Sequence, residues 1–206
     1  MNIRERMLNG LPYKPGSDDI TNQLVNERLE NKKLLHKYNH LEPENIEERD
    51  RLIREILGST GEKLKVNIPF FTDYGKNIHV GENFYTNFNC VILDTAPVII
   101  GDNVMFGPNV AIYAANHPIH PDSRNSGYES GHKITIGDNV WLGGNVVVNP
   151  GVNIGNNVVV GSGSVVTCDL PNDVVAVGNP CRVIREITDE DRKYYYKDRV
   201  FDVEDY

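Results

Sequence analysis

Between Ile136 and Val166 an aliphatic residue recurs at every sixth position: Ile136, Leu142, Val148, Ile154, Val160 and Val166. A second frame runs four residues behind the first, at Val140, Val146, Val152 and Val158, and Gly follows the first frame at Gly137, Gly143, Gly155 and Gly161. A period of six is neither the period of about 3.6 of an amphipathic helix nor strand alternation. It is the period of a coil with flat faces, in which each hexad is one short strand and one sharp corner. The aliphatic side chain points into the coil, and a nearby Gly or Asn is expected to turn the backbone with φ > 0 at little steric cost. Three hexads make one triangular rung, and stacked rungs bury a continuous aliphatic column. Val-rich strands suit such a packed, pleated surface.

Weaker hexads lie upstream, one from Ile78 to Asn83 and one from Ile100 to Val104. Between Val80 and Ile100 the frame slips by two residues, near Asp94-Thr95-Ala96-Pro97. The coil is predicted over residues 61–187, with one large interruption at 116–133 that is rich in His, Pro, Ser, Gly and charge. An excursion of that length from a regular coil is usually functional or disordered. The densest His cluster of the chain opens it, which favours function.

Residues 1–60 form a different region. Leu24, Arg28, Leu29, Leu34 and Leu35 fit an amphipathic helix over 20–38. Pro43-Glu44 opens a second helical pattern, with Ile46, Leu52, Ile53, Ile56 and Leu57 apolar and Gly58 as its stop. A segment of about 60 residues buries only a thin core alone, so it is expected to dock on the coil. Residues 188–206 should supply a short closing helix over 188–198 and a tail, with Thr188 as N-cap and Asp189, Glu190 and Asp191 at the positive end of its dipole. Helical caps at both ends would cover the unpaired edges of the coil.

The formal charge of -8 argues against a general nucleic-acid binder. No apolar run approaches the roughly 20 residues of a membrane span. The start, MNIRERMLNG, has no apolar stretch behind its charges, so it is not a secretion signal and the expected compartment is the cytoplasm. Cys90, Cys168 and Cys181 form no CxxC pair, which fits a reducing environment.

The hexads resemble those of the hexapeptide-repeat acyltransferases, which fold as left-handed parallel β-helices. The stretches Thr72-Asp73-Tyr74-Gly75, Thr86-Asn87-Phe88-Asn89-Cys90, Asn116-His117-Pro118-Ile119-His120, Asn139 to Gly144 and Gly178 to Arg185 are similar to the maltose/galactoside O-acetyltransferase branch. The helical segment ending near Lys37-Tyr38-Asn39-His40 also resembles what precedes the coil in that branch. The left hand comes from the resemblance; the general rule for parallel crossovers would favour the right. What the resemblance implies is a homotrimer with acetyl-CoA in a groove between adjacent coils, a sugar-like hydroxyl as acceptor, and no metal.

Transfer of acetyl from a thioester to a hydroxyl needs a base that takes the hydroxyl proton during attack, and imidazole is the usual group near neutral pH. By residue type alone His117 is either that base or a surface-loop histidine; the resemblance makes it the base. It also assigns an acidic position to Glu129, expected to orient the imidazole as a triad acid does, and an oxyanion-stabilising amide to Gly144. Gly143-Gly144 also serves a plain corner. Asp73, Asn87 and Asp94 match acceptor contacts, joined by Asp18 or Asp19 from the N-terminal segment; each Asp is equally a turn-former. Ser162, Thr167, Cys168, Arg182 and Arg185 match positions along the coenzyme. Arginine forks suit its phosphates on an acidic protein, and Cys168 stands where a Lys is common. Trp141 either packs along the pantetheine or sits at a subunit contact.

Three other signals carry less. His117, His120 and His132 suggest zinc, but all three fall in one irregular loop rather than on successive rungs. Gly161-Ser162-Gly163-Ser164 fits neither G-x-S-x-G nor a Walker loop. No base is paired with Cys90 as a nucleophile. The competing functions are acetylation of a xenobiotic or other small hydroxyl compound, and a non-catalytic β-helix scaffold.

Overall fold

The computed structural model describes residues 1–16 and 19–203 of the chain. Three parallel sheets form the faces of a triangular coil. The first holds Leu64–Val66, Phe84–Thr86, Met105–Phe106, Trp141–Leu142, Val159–Val160 and Val174–Val177. The second runs from Phe70–Thr72 to Val165–Val166, and the third from Ile78–Val80 to Asn153–Ile154. Both aliphatic frames point inward: Val140, Leu142, Val146, Val148, Val158 and Val160 are all buried in one continuous core. The residue between each pair, such as Trp141, points outward.

The register explains the slip in the hexads. Near the N-terminal end Tyr85 pairs with Met105, an offset of 20, whereas Trp141 pairs with Val159, an offset of 18. The two additional residues lie at one corner, where Cys90 and Val98 begin successive strands eight apart. Asp94 braces that corner. Its buried carboxylate accepts from the backbone N–H of Asp73 at 3.0 Å, of Tyr74 at 2.9 Å and of Asn77 at 3.3 Å. Burial pushes the Asp94 carboxyl up to about 6, against the pull of those amides. Across the excursion Met105 pairs with Trp141, an offset of 36, so the interruption adds one rung's length and leaves the column in register.

The corners that follow the strands of the third sheet obey one chemical rule, in which Gly and Asn have different tasks. Of the two residue types expected to take φ > 0, Asn does so here: Asn83, Asn103, Asn139 and Asn157 are left-handed, with φ of 54°, 56°, 57° and 55°, whereas Gly81, Gly101, Gly137 and Gly155 are not. Asn tolerates this region because its short side chain bonds locally. Here the bonds run between rungs, from Asn83 to Asn103 at 2.8 Å, Asn103 to Asn139 at 3.2 Å, Asn139 to Asn157 at 2.9 Å and Asn157 to Asp173 at 2.7 Å. The residue before each Asn builds a second ladder. The carboxylates of Asp102 and Asp138 and the amide oxygens of Asn156 and Asn172 each accept the backbone N–H of the rung before. Each corner Gly is needed because a Cβ would collide with that incoming oxygen and the backbone behind it.

At the N-terminal end α1 (Ile3–Leu8), α2 (Asp19–Asn39) and α3 (Ile46–Ile56) close the coil. Tyr38 donates to the Val66 carbonyl at 2.6 Å. Asn39 both donates to the Phe70 carbonyl and accepts from its N–H, each at 2.9 Å, and so blocks the open strand edge. Leu52, Ile53 and Ile56 enter the coil's core, and Met7, Tyr13, Leu24 and Tyr74 form a smaller one. Three expectations change. The capped helix α1 is additional, α3 starts at Ile46 rather than at Pro43, and Leu29 is exposed while Asn31 is buried.

The C-terminal end differs more. The expected helix over 188–198 is a single 3-10 turn, Asp189–Arg192. Before it, Arg182–Glu186 folds back antiparallel on Val174–Val177 after Gly178, whose φ is 102°. After it, Tyr194–Tyr196 pairs with Arg199–Val200 as a hairpin. A run of three tyrosines prefers a pleated strand, and this overrides the acidic cap signal.

Two outcomes test this account. Asn139→Ala should destabilise the chain by about 1–2 kcal/mol through the left-handed backbone alone. Asn139→Gly should cost less, and equal losses in denaturant titration would refute the strain argument. Asp94 contributes most stability below about pH 4, where the unfolded carboxyl is also protonated, and that contribution is lost as the pH rises to about 6. Wild type should therefore lose Tm relative to Asp94→Asn across that window; a constant gap would mean that Asp94 titrates normally.

Candidate active site

The excursion is a built element. Ala115–Asn116 and Ser130–Gly131 pair antiparallel as its stem, and Pro121–Asn125 forms a helical turn, α4. The Arg124 guanidinium donates to the carbonyls of Pro118 at 3.1 Å and Ile119 at 2.7 Å, which pins the segment after His117. His117 itself is exposed, and its ring bonds to no group among the described residues. Ile119 beside it is 94 % exposed.

Glu129 lies at the far side of the loop, and the bond that its carboxylate makes is to the N-terminal segment. Its Oε1 accepts from the Tyr13 hydroxyl at 2.6 Å, and the two backbones exchange N–H to carbonyl bonds at 2.9 Å each. The second carboxylate oxygen makes no bond within the described chain. Asp73 also has a partner on the helical segment, Arg28 Nη2 at 2.7 Å, and Arg28 lies 5.6 Å over the Tyr74 ring. Burial opposes the Arg28 charge, but Asp73 more than restores it. Burial first, and then Glu129, hold the Tyr13 hydroxyl protonated well above its ordinary range. Asp73, Glu129 and the helical segment thus form one charged cluster. Asp94 borders it, but as the corner brace described above; its carboxylate is turned into the backbone rather than towards an acceptor. Asn87 is half-buried, and its side-chain oxygen accepts the Phe88 N–H at 2.8 Å. Asp18 lies outside the described residues.

Gly143 and Gly144 have separate reasons to be glycine. A Cβ on Gly143 would sit 2.7 Å from the backbone nitrogen of Ser162 in the next rung, so that residue serves close packing. At Gly144 a Cβ would meet Pro108 at 3.4 Å, close to ordinary contact, and φ is not left-handed. Its N–H donates to no group among the described residues.

On the first sheet the outward residues Tyr85, Met105, Trp141, Val159 and Val175 stand in register as an apolar column. Trp141 is 50 % exposed and Met105 49 %. A groove of about 660 Å³ opens beside Trp141, lined by Val159, Val175, Arg185 and the Tyr194-to-Lys197 hairpin. Arg185, expected to be free for phosphate, instead forms a two-pronged pair with Asp191 at 2.8 Å for each prong. Arg182 is less committed: it donates to the Cys181 carbonyl at 2.7 Å and lies 3.9 Å from the Cys168 sulfur. Ser162, Thr167 and Cys168 are exposed along the last rungs. Burial pushes the Cys90 thiol up to about 11, away from nucleophile chemistry.

Tyr13, Arg28 and Tyr74 are site residues that the motif reading passed over. Arg28 left a signal, as a cation on the buried face of an amphipathic helix. Tyr13 left none, because its partner is 116 residues away.

The comparisons with known proteins agree with this architecture. Residues 6–61 match the maltose acetyltransferase hexapeptide capping motif, and residues 133–168 match the bacterial transferase hexapeptide of six repeats. The galactoside O-acetyltransferase of Escherichia coli strain K12 is 49 % identical over 180 residues, 87 % of this chain and 89 % of that protein. A solved galactoside acetyltransferase in complex with coenzyme A is 46 % identical with a TM-score of 0.93, covering 98 % of this chain and 100 % of the other. A hexapeptide-repeat acetyltransferase from Vibrio cholerae O1 biovar eltor, complexed with acetyl coenzyme A, is 36 % identical with a TM-score of 0.81, over 92 % of this chain and 100 % of that one. An aliphatic hexad column and a capping helical segment therefore come together with sequence identity along nearly the whole length, and the chain belongs to the maltose/galactoside branch of the hexapeptide-repeat O-acetyltransferases.

Proposed function

We propose that this protein transfers an acetyl group from acetyl-CoA directly to a hydroxyl of a sugar or glycoside, with His117 as general base. The observation that carries the reading is the state of His117: an exposed imidazole on a pinned loop, uncommitted to its own chain, in a protein whose relative binds coenzyme A on the same fold. The imidazole takes the hydroxyl proton as the oxygen attacks the thioester carbonyl. The oxyanion of the tetrahedral intermediate accepts from the open N–H of Gly144. Collapse breaks the C–S bond, and the imidazolium returns its proton to the departing thiolate. No acyl-enzyme forms, and acceptor and donor are bound together.

Asp73 and Asn87 are the acceptor contacts in this reading, because sugar hydroxyls need fixed carboxylate and amide partners. Asp94 acts through the corner that carries Asp73. The N-terminal acidic contact falls to Asp18 or Asp19. Ser162, Thr167 and Cys168 face the pantetheine and nucleotide, Arg182 takes a phosphate, and Arg185 does so only after leaving Asp191. Two outward faces are apolar, one along Met105 and Trp141 and another along Phe71, Val91 and Val147. Exposed apolar columns of this kind mark contact surfaces. We assign them to a homotrimer whose adjacent coils form the donor groove, with Trp141 at its wall. The three free cysteines fit a reducing compartment, and we assign the cytoplasm.

His117→Ala should reduce thiol release from acetyl-CoA by about 10²–10⁴-fold with a sugar acceptor, while coenzyme A still binds. Near-normal turnover would remove His117 from its role. An acceptor panel of sugars, glycosides and small aromatic alcohols separates the sugar reading from xenobiotic acetylation, and a protein that neither releases thiol nor binds coenzyme A is a scaffold. Light scattering should give three times the chain mass of 23.2 kDa; a monomer that is fully active would contradict the shared groove.

A further inference from the structure

We infer that Tyr13, on the N-terminal helical segment, is a positioning residue for the reaction: its hydroxyl fixes the carboxylate of Glu129 and, through it, the His117 imidazole. The inference rests on the reading of Glu129 as the acid that orients this base.

The geometry is specific. Tyr13 is 1 % exposed and its hydroxyl donates to Glu129 Oε1 at 2.6 Å. That distance is at the short end of hydroxyl-to-carboxylate bonds, as expected for a charged acceptor. Two backbone bonds between the same residues hold the phenol and the carboxylate at fixed separation. Only one carboxylate oxygen is used; the other makes no bond among the described residues. A carboxylate tethered at one oxygen and open at the other is what an imidazole-orienting acid requires.

The surroundings keep this bond in one direction. The charged and titratable groups around Tyr13 are Glu129 from the loop, Tyr74 from the coil corner and Arg28 from α2, and Arg28 is itself paired with Asp73. Burial and the neighbouring carboxylate keep the phenol un-ionised, so it stays a donor and Glu129 stays an acceptor. Glu129 and Asp73 in turn favour the positive charge of Arg28. The ring is packed among Met7, Leu24 and Tyr74, so the hydroxyl cannot swing away without opening the small core. The helical segment thus does more than cover the end of the coil. It sets the angle of a group on a loop more than a hundred residues later in the chain.

The test is a double-mutant cycle of Tyr13→Phe and Glu129→Gln, read as kcat and as KM for acetyl-CoA. Phe keeps the ring and the backbone pair, and removes only the donor. Tyr13→Phe alone should lower kcat by about tenfold with KM for acetyl-CoA unchanged, and should add nothing further in the Glu129→Gln background. Coenzyme A binding and Tm, measured in parallel, identify a variant that has failed to fold; Tyr13→Trp, which restores a donor on an aromatic ring, serves as the second variant and should recover more activity than Tyr13→Phe if the bond matters. Equal losses of kcat from Tyr13→Phe in both backgrounds, or full activity of Tyr13→Phe beside an impaired Glu129→Gln, would overturn the inference alone. Unaltered kcat in Glu129→Gln beside an inactive His117→Ala would overturn the role of Glu129 itself, and the inference with it.

Discussion

One edge of the coil is a stack of corners where three backbone needs meet at once. The chain must reverse, the N–H of the preceding rung must find an acceptor, and the rungs must stack at strand spacing. The sequence Gly-Asp/Asn-Asn meets all three. The Asn takes the left-handed turn, the residue before it supplies an oxygen to the neighbouring rung, and the Gly leaves room for that oxygen to arrive. Because each corner bonds to the next, the coil is stiff along its axis. That stiffness is what lets the stack run on across an 18-residue excursion, with Met105 beside Trp141 as though nothing lay between. A loop that carries chemistry needs a scaffold that does not yield, and this one is locked on both sides of the loop.

The cluster of Asp73, Asp94 and Glu129 is held by charge as well as by the coil. Asp94 is buried against three amides, and Asp73 and Glu129 are each bonded by a side chain of the helical segment. Among the described residues the His117 ring, the second oxygen of Glu129 and the Gly144 N–H make no bond, whereas the carboxylates of Asp73 and Asp94 are paired.

Much of the fold was legible in the hexads, since a strict period of six with inward aliphatics admits few alternatives. The interruption at residues 116–133 and the helical segment were legible as well. The C-terminal end was not. Asp189, Glu190 and Asp191 after Thr188 read as a helix start, and they do begin one turn, but Tyr194 to Tyr196 then favours a hairpin. Residue types gave the arginines of the last strand as phosphate ligands. They could not show that Arg185 already has Asp191 as a partner.

The sequence by itself determined the coil, because the spacing of small, apolar and amide side chains acts over six to twenty residues and each corner is a local matter. It also placed an imidazole, His117, at the start of an irregular loop, though the hand of the coil came only through resemblance. The tertiary structure decided which charged groups are free and which are spent. Tyr13 meets Glu129 across 116 residues and Arg28 meets Asp73 across 45. Such pairings depend on where a helix docks, and docking is settled by the shape of two cores meeting rather than by any local pattern.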